Sequence, residues 1–195
     1  MLKIGITGGI GSGKTTICKV FQLLGIPVYY ADEEAKKLLN INDEVKKNIV
    51  KTFGNEVINN EGLIDKKKLA SLVFNNKENL EKLNKIVHPA VGKHFENWLK
   101  ENQSAKYILE EAAILFESNA YKKLDKIITV TAPMELKIFR AMQRDQTDRA
   151  TIEQRIKHQI SDEEKIKKSH FIIHNDELQL LIPQIINIHQ QLIQL

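Results

Sequence analysis

Residues 5–16 read GITGGIGSGKTT, and five glycines in twelve positions would weaken any ordinary helix or strand. A bound anion compensates for that weakness. Gly8, Gly13, Lys14 and Thr15 satisfy G-x-x-x-x-G-K-[ST], the pattern in which backbone N–H groups wrap around a polyphosphate. Upstream, LKIGIT at 2–7 is short and rich in β-branched residues, as a buried strand would be. Downstream, Ile17, Val20, Phe21 and Leu24 recur at helical spacing until Gly25 stops the helix. Between a strand and a helix, the amides and hydroxyls of Gly11, Ser12, Gly13, Lys14, Thr15 and Thr16 stand at a helix N-terminus, where phosphate binds. Lys14 is expected to reach the β/γ-phosphates of ATP, and the Thr15 hydroxyl to ligate Mg²⁺.

Working outward, IPVYYAD at 26–32 reads as a second strand, so the first thirty residues form one right-handed βαβ unit. Residues 33–104 carry a largely helical pattern punctuated by Gly54, NNEG at 59–62 and NNK at 75–77, too long for one crossover helix. The sheet resumes with KYILEEAAILF from 106, DKIITVTA from 125 and HFIIHND from 170. A helix is expected from 133, two charged helical segments over 151–169, and a last helix over 177–194. The core stripe of that last helix would include Leu178, Leu181, Ile182, Ile185, Ile186 and Leu192. The expected class is a three-layer α/β P-loop fold with a five-stranded parallel sheet. Its nucleotide-binding core takes 1–32, 105–139 and 170–195, its helical acceptor-binding insertion 33–104, and its helical lid 140–169.

Composition narrows the partners. With 42% hydrophobic and 28% charged residues in 195, the chain can bury a real core, and no apolar run approaches a membrane span. MLKIGITGGIGSGK leads straight into the strand and loop without the features of a secretion signal. Cys18, the single cysteine, excludes an internal disulfide and reads as a small buried hydrophobe; a reducing, cytoplasmic setting is expected. The formal charge of +4 suits an anionic ligand, but the lysines are scattered among acids rather than gathered into a nucleic-acid stripe. Small-molecule partners are therefore expected, without nucleic acid or membrane, and with a monomer or weak homo-oligomer.

A GTPase would carry N-K-x-D, which HND at 174–176 does not supply, and a large motor ATPase needs more chain. A small kinase fits, since transfer to a hydroxyl requires a carboxylate, an acceptor pocket and mobile cations. Asp32, at the carboxyl end of the second strand, can orient an acceptor hydroxyl and take its proton, or can cap the helix beginning near Glu33. Of Glu110 and Glu111, strand alternation lets only one face the site, and Glu111 is the candidate for the Mg²⁺ shell. Arg140 and Arg144 stand four residues apart on one helix with Arg149 nearby, a spacing that suits both a phosphate clamp and a surface charge pair.

GITGGIGSGKTT, YYADEEAKKLL, FGNEVINNEGLIDKKKL, VF at 73–74, IVHPAV, AAILFES, RAMQRD, and RIKHQ followed by FIIHN together resemble the dephospho-coenzyme A kinase family, nearly end to end. The resemblance implies transfer of the ATP γ-phosphoryl group to the ribose 3′-hydroxyl of dephospho-CoA. It gives Asp32 the acceptor-activating role and sets Arg140 and Arg144 in the nucleotide-closing lid. It also implies that Asn175 lies on the nucleotide side, meeting a base or capping the last helix. His88, before Pro89, and Lys66 fall in the acceptor region, though a packing histidine and a surface lysine are equally ordinary readings. Three departures stand out. Tyr30 replaces the first Asp of the usual D-A-D, Glu111 is the longer carboxylate before the P-L-L-F-E segment, and Ala113 stands where Pro is usual. The rival readings are a nucleoside or nucleotide kinase, and an ATP-binding switch that transfers to no small alcohol.

Overall fold

The computed structural model describes residues 1–74 and 76–195, and divides into two compact units, Met1–Tyr30 with Asn102–Leu195, and Ala31–Glu101. The turn signal at Asn75 lies outside the described residues.

In the first unit, β1 (Leu2–Gly8), β2 (Val28–Tyr30), β3 (Tyr107–Glu111), β4 (Lys126–Thr131) and β5 (Phe171–His174) form one sheet in the order β2-β3-β1-β4-β5. Every pairing is parallel. Alternation along the strands separates two faces. Ile4, Ile6, Tyr107, Leu109, Ile128 and Val130 point to the face covered by α1 (Lys14–Leu23) and α9 (Leu181–Ile193), where they meet Ile17, Phe21, Ile185 and Ile188 in one buried cluster. Thr129, one residue out of phase, points the other way and hydrogen-bonds Ser169 at 2.6 Å, just past α8 (Asp162–Lys167), which packs on β4. Helices α6 (Met134–Asp145) and α7 (Arg149–Lys157) complete the unit.

The second unit holds α2 (Ala31–Ile41), α3 (Asp43–Phe53), α4 (Lys66–Phe74) and α5 (Lys77–Glu101) around a core that includes Leu39, Ile49, Phe53, Leu69 and Val87. Asn42 caps α3 by accepting from Val45 N at 3.0 Å. Asp65 does the same for α4, accepting from Lys67 and Lys68 N at 2.9 and 3.2 Å.

Two expectations need correction. The second strand ends at Tyr30, and Ala31 and Asp32 already belong to α2. The carboxylates of Asp32, Glu33 and Glu34 favour the N-terminal pole of a helix, so the acidic run starts the helix rather than ending the strand. Asp32 is thus a first-turn residue, neither strand nor N-cap. The last helix starts at Leu181, and Leu178 is 90% exposed. The Asp176 carboxylate accepts from Leu178 and Gln179 N, and Glu177 adopts φ 66°, so the chain turns before it coils.

Glu110 shows the other face of β3. It is 8% exposed, and burial pushes its carboxyl up to about 7 against the opposing charges of Lys123 and Lys3. Between the ordinary carboxylate value and 7 the folded protein holds a proton that the unfolded chain has released. Stability therefore falls as pH rises through that window. Glu110→Gln is expected to flatten this dependence, which in the wild type amounts to about 1–3 kcal/mol between pH 5 and 8. Urea midpoints at the two pH values check it; equal slopes for both proteins would show that Glu110 ionises freely.

Candidate active site

The loop between β1 and α1 is shaped by backbone before any side chain acts. Gly11 and Gly13 hold φ of 77° and 91°, the left-handed region that favours glycine. Neither has room for a side chain. A Cβ on Gly11 would lie 2.0 Å from the Lys137 carbonyl oxygen, and one on Gly13 would lie 2.2 Å from Asn175 Nδ2. The loop therefore rests its outer side on α6 and on the residue after β5, and can turn its amides inward. Lys14 opens α1, is 8% exposed, and donates to the Gly8 and Gly9 carbonyls at 3.0 and 3.4 Å. Ser12 is buried, and its hydroxyl has no protein partner among the described residues. Thr15 and Thr16 are exposed in the first turn of α1. Two glycines with no space for Cβ, a buried ammonium and an unpartnered buried hydroxyl together suit a triphosphate.

Alternation in β3 sends Glu111 toward this loop. Burial and then the Glu111 charge push the Cys18 thiol up, while Lys14 opposes, so acid and ammonium both lie near that sulfur. Glu111 also helps hold Arg144 above its ordinary value, after the larger effect of Asp145. A hydroxyl at Thr15 and one carboxylate at Glu111 suit Mg²⁺, a hard cation bound through few carboxylates together with substrate phosphates. Among the described residues no cluster of three or more His, Cys, Asp or Glu could hold a metal unaided.

Arg140 and Arg144, both on α6, have separate anchors. Arg140 donates to the Asn175 carbonyl at 3.1 Å, to Asn175 Oδ1 at 3.4 Å and to Glu177 at 2.9 Å. Arg144 pairs with Asp145 at 2.8 Å, and Asp145 also receives Arg155 at 2.8 Å. Arg149 binds Glu135 and Glu153 in an exposed network. Asn175 neither caps α9, whose N-cap is Leu180, nor turns its amide outward: Nδ2 donates to the Ser12 carbonyl at 2.8 Å. It braces the loop. Asp32, Lys66 and His88 belong to the helical unit. Lys66 is exposed at the first position of α4. His88 is on the exposed side of α5, where partial desolvation lowers its pKa.

Behind the loop lies a set of buried charged and polar groups that composition alone does not mark. Lys137, 4% exposed, donates to Asp162 at 2.7 Å, and its ammonium would lie 3.1 Å from a Cβ on Gly9. Gln159 accepts from Ile10 N at 3.0 Å and donates to the Ala113 carbonyl at 3.1 Å. Lys165 is fully buried, donates to the Ile160 carbonyl at 3.0 Å and lies 3.9 Å from Glu117. The available signal was Lys137 itself, sharing a helix stripe with the buried Ile138 and Ala141. Asp162→Asn would leave that ammonium buried without its counter-charge. The expected loss is about 2–3 kcal/mol, less than for a wholly buried pair because Asp162 keeps some exposure. Urea unfolding measures it, and a loss under about 0.5 kcal/mol would mean that solvent reaches Lys137.

Comparison with known proteins adds to this geometry. The family profile described as "CoaE: Dephospho-CoA kinase" matches residues 2–179. The chain is 40% identical over 187 residues to a dephospho-CoA kinase of Bacteroides fragilis (strain YCH46), covering 96% of this chain and 91% of that protein. It is 43% identical over 173 residues to one of Fusobacterium nucleatum subsp. nucleatum, covering 89% of each. Among solved structures, a dephospho-CoA kinase from Campylobacter jejuni superposes with a TM-score of 0.72 at 31% identity, covering 98% of this chain and 97% of that one.

Proposed function

The chain belongs to the dephospho-CoA kinase family, and from that premise we propose how its own residues carry the reaction. It is an ATP-dependent phosphotransferase with dephospho-CoA kinase activity in CoA biosynthesis. The rival readings, a nucleoside kinase and a non-catalytic switch, give way to this one.

The acceptor is the ribose 3′-hydroxyl. Asp32 orients that hydroxyl in line with the γ-phosphorus and accepts its proton as transfer proceeds. Loop amides and Lys14 hold the transferring group, while Arg140 and Arg144, exchanging some present partners for phosphate oxygens, offset charge that builds in the transition state. Thr15 and Glu111 would hold Mg²⁺, which would supply charge neutralisation on the triphosphate. No covalent enzyme intermediate is needed. Lys66 and His88 serve the acceptor side, residues 140–169 act as the lid, and the setting is cytoplasmic. Asn175 serves the nucleotide indirectly, by fixing the loop that binds it.

The observation that carries this reading is the loop itself: left-handed Gly11 and Gly13 packed without space for Cβ, directly ahead of a buried lysine at a helix start. The test is to incubate purified protein with Mg-ATP and dephospho-CoA and identify the products by mass. Coenzyme A and ADP in equal amounts are expected; ADP with unmodified acceptor would overturn the proposal.

A further inference from the structure

RIKHQ at 155–159 ends in a glutamine to which the chemistry above gives no task. Gln159 stands between α7 and α8, half-buried, and both ends of its amide are engaged. Oε1 accepts from Ile10 N at 3.0 Å, and Nε2 donates to the Ala113 carbonyl at 3.1 Å. These partners fix which way the amide faces, because a backbone N–H only donates and a carbonyl only accepts.

The two anchor points belong to different parts of the site. Ile10 lies at the middle of the glycine loop, and its side chain packs against the Ile138, Ala141 and Ile152 cluster of α6 and α7. It is thus held through both side chain and backbone. Ala113 follows Glu111 by two residues, just beyond β3. The sheet joins β1 to the end of β3 through the bond from Ala112 N to the Ile6 carbonyl, at 3.2 Å. Past that point the Gln159 side chain spans the loop and the strand end.

The residues after Gln159 stiffen this bridge. Ile160 N donates to Glu117 at 2.8 Å, the buried Lys165 donates to the Ile160 carbonyl at 3.0 Å, and Asp162 accepts from Lys137 at 2.7 Å. The charged groups facing the junction are Lys14 of α1, Lys137 of α6, Glu117 beyond β3, and Asp162 and Lys165 of α8, with His158 exposed at the end of α7.

We propose that Gln159 is a positioning residue for phosphoryl transfer: its amide holds the middle of the glycine loop in register with the strand end that carries Glu111, without touching either substrate. This rests on the reading of the loop and Glu111 as the seats of the triphosphate and Mg²⁺. A misplacement of about 1 Å can cost roughly 10²-fold in rate, so two ordinary hydrogen bonds here have a leverage over turnover that they lack over folding.

Gln159→Met keeps the length of the side chain and removes both hydrogen bonds. With folding verified by thermal melting, kcat is expected to fall roughly tenfold to a hundredfold while KM for dephospho-CoA stays within about twofold. Titration calorimetry gives a readout apart from turnover: the gain in ATP affinity on adding Mg²⁺ should shrink roughly tenfold, and affinity for ATP without Mg²⁺ should fall by much less. Gln159→Glu supplies the rescue. A protonated carboxyl accepts at one oxygen and donates from the other, as the amide does, whereas the carboxylate only accepts and is set against the Ala113 carbonyl. Activity of Gln159→Glu relative to wild type at the same pH should therefore climb as pH falls from about 8 to about 5.5, and that of Gln159→Met should stay flat. Should Gln159→Met fail to fold, the pH response of Gln159→Glu decides alone. Turnover of Gln159→Met within about twofold of wild type, an equal loss of ATP affinity with and without Mg²⁺, or a Gln159→Glu deficit that ignores pH overturns the proposal. The calorimetry needs no acceptor, so Mg-ATP binding that depends on Gln159 in a wild-type protein that makes no coenzyme A would sink the kinase reading and keep the bridge.

Discussion

Asp32→Asn is expected to lower kcat by roughly 10²–10⁴-fold, the range for a positioned general base, while leaving ATP affinity within about twofold. The amide keeps the size of the carboxylate and can still touch a hydroxyl, but cannot take its proton at neutral pH. The cost to folding should be small. Asp32 is one of three acids in the first turn of α2, and losing one charge at that pole costs about 0.3–1 kcal/mol. Steady-state kinetics beside thermal melting separates the roles. A loss of ATP affinity with a lowered melting temperature would reduce Asp32 to a helix-starting residue. Unchanged turnover would move the base elsewhere.

Gly11→Ala should be the most damaging single methyl in the chain. It meets two penalties, a left-handed φ of 77° and a Cβ 2.0 Å from the Lys137 carbonyl oxygen. That oxygen is backbone within α6 and cannot rotate away. We expect about 4 kcal/mol or more of lost stability, together with loss of nucleotide binding. Gly25→Ala is the control: its φ of 80° is nearly the same, but a Cβ there meets nothing within 4 Å. It should cost only about 1–2 kcal/mol. If the two variants unfold alike in urea, the close approach to α6 is not what holds the loop.

The nucleotide half of the site was legible because its chemistry is written locally. A glycine pattern, a lysine and a hydroxyl stand within eight residues, and strand alternation was enough to separate Glu111 from Glu110. Boundaries were less legible where two local rules competed. At Ala31 and Asp32 the apolar run before them argued for strand, while the three acids argued for a helix start, and the helix won. Near Leu178 the apolar spacing continued into a segment already committed to a turn by the Asp176 carboxylate. The charges behind the loop were hidden for another reason. Lys137 and Asp162 are 25 residues apart, and composition assigns lysines to solvent unless something marks their partner. Asn175 was noticed through resemblance, and the structure adds a tie that the motif did not suggest, its amide donating to the Ser12 carbonyl.

That brace also bears on how the chain comes off the ribosome. The glycine loop is made well before the residue that braces it, for its tie to Asn175 spans 163 residues of sequence. At ordinary elongation rates roughly 10–30 s separate the synthesis of the two ends. Nascent chains stalled before Asn175 would therefore lack the brace at Ser12 even where α6 and Gln159 already support the loop, and nucleotide added during translation should be held more tightly once Asn175 has been made.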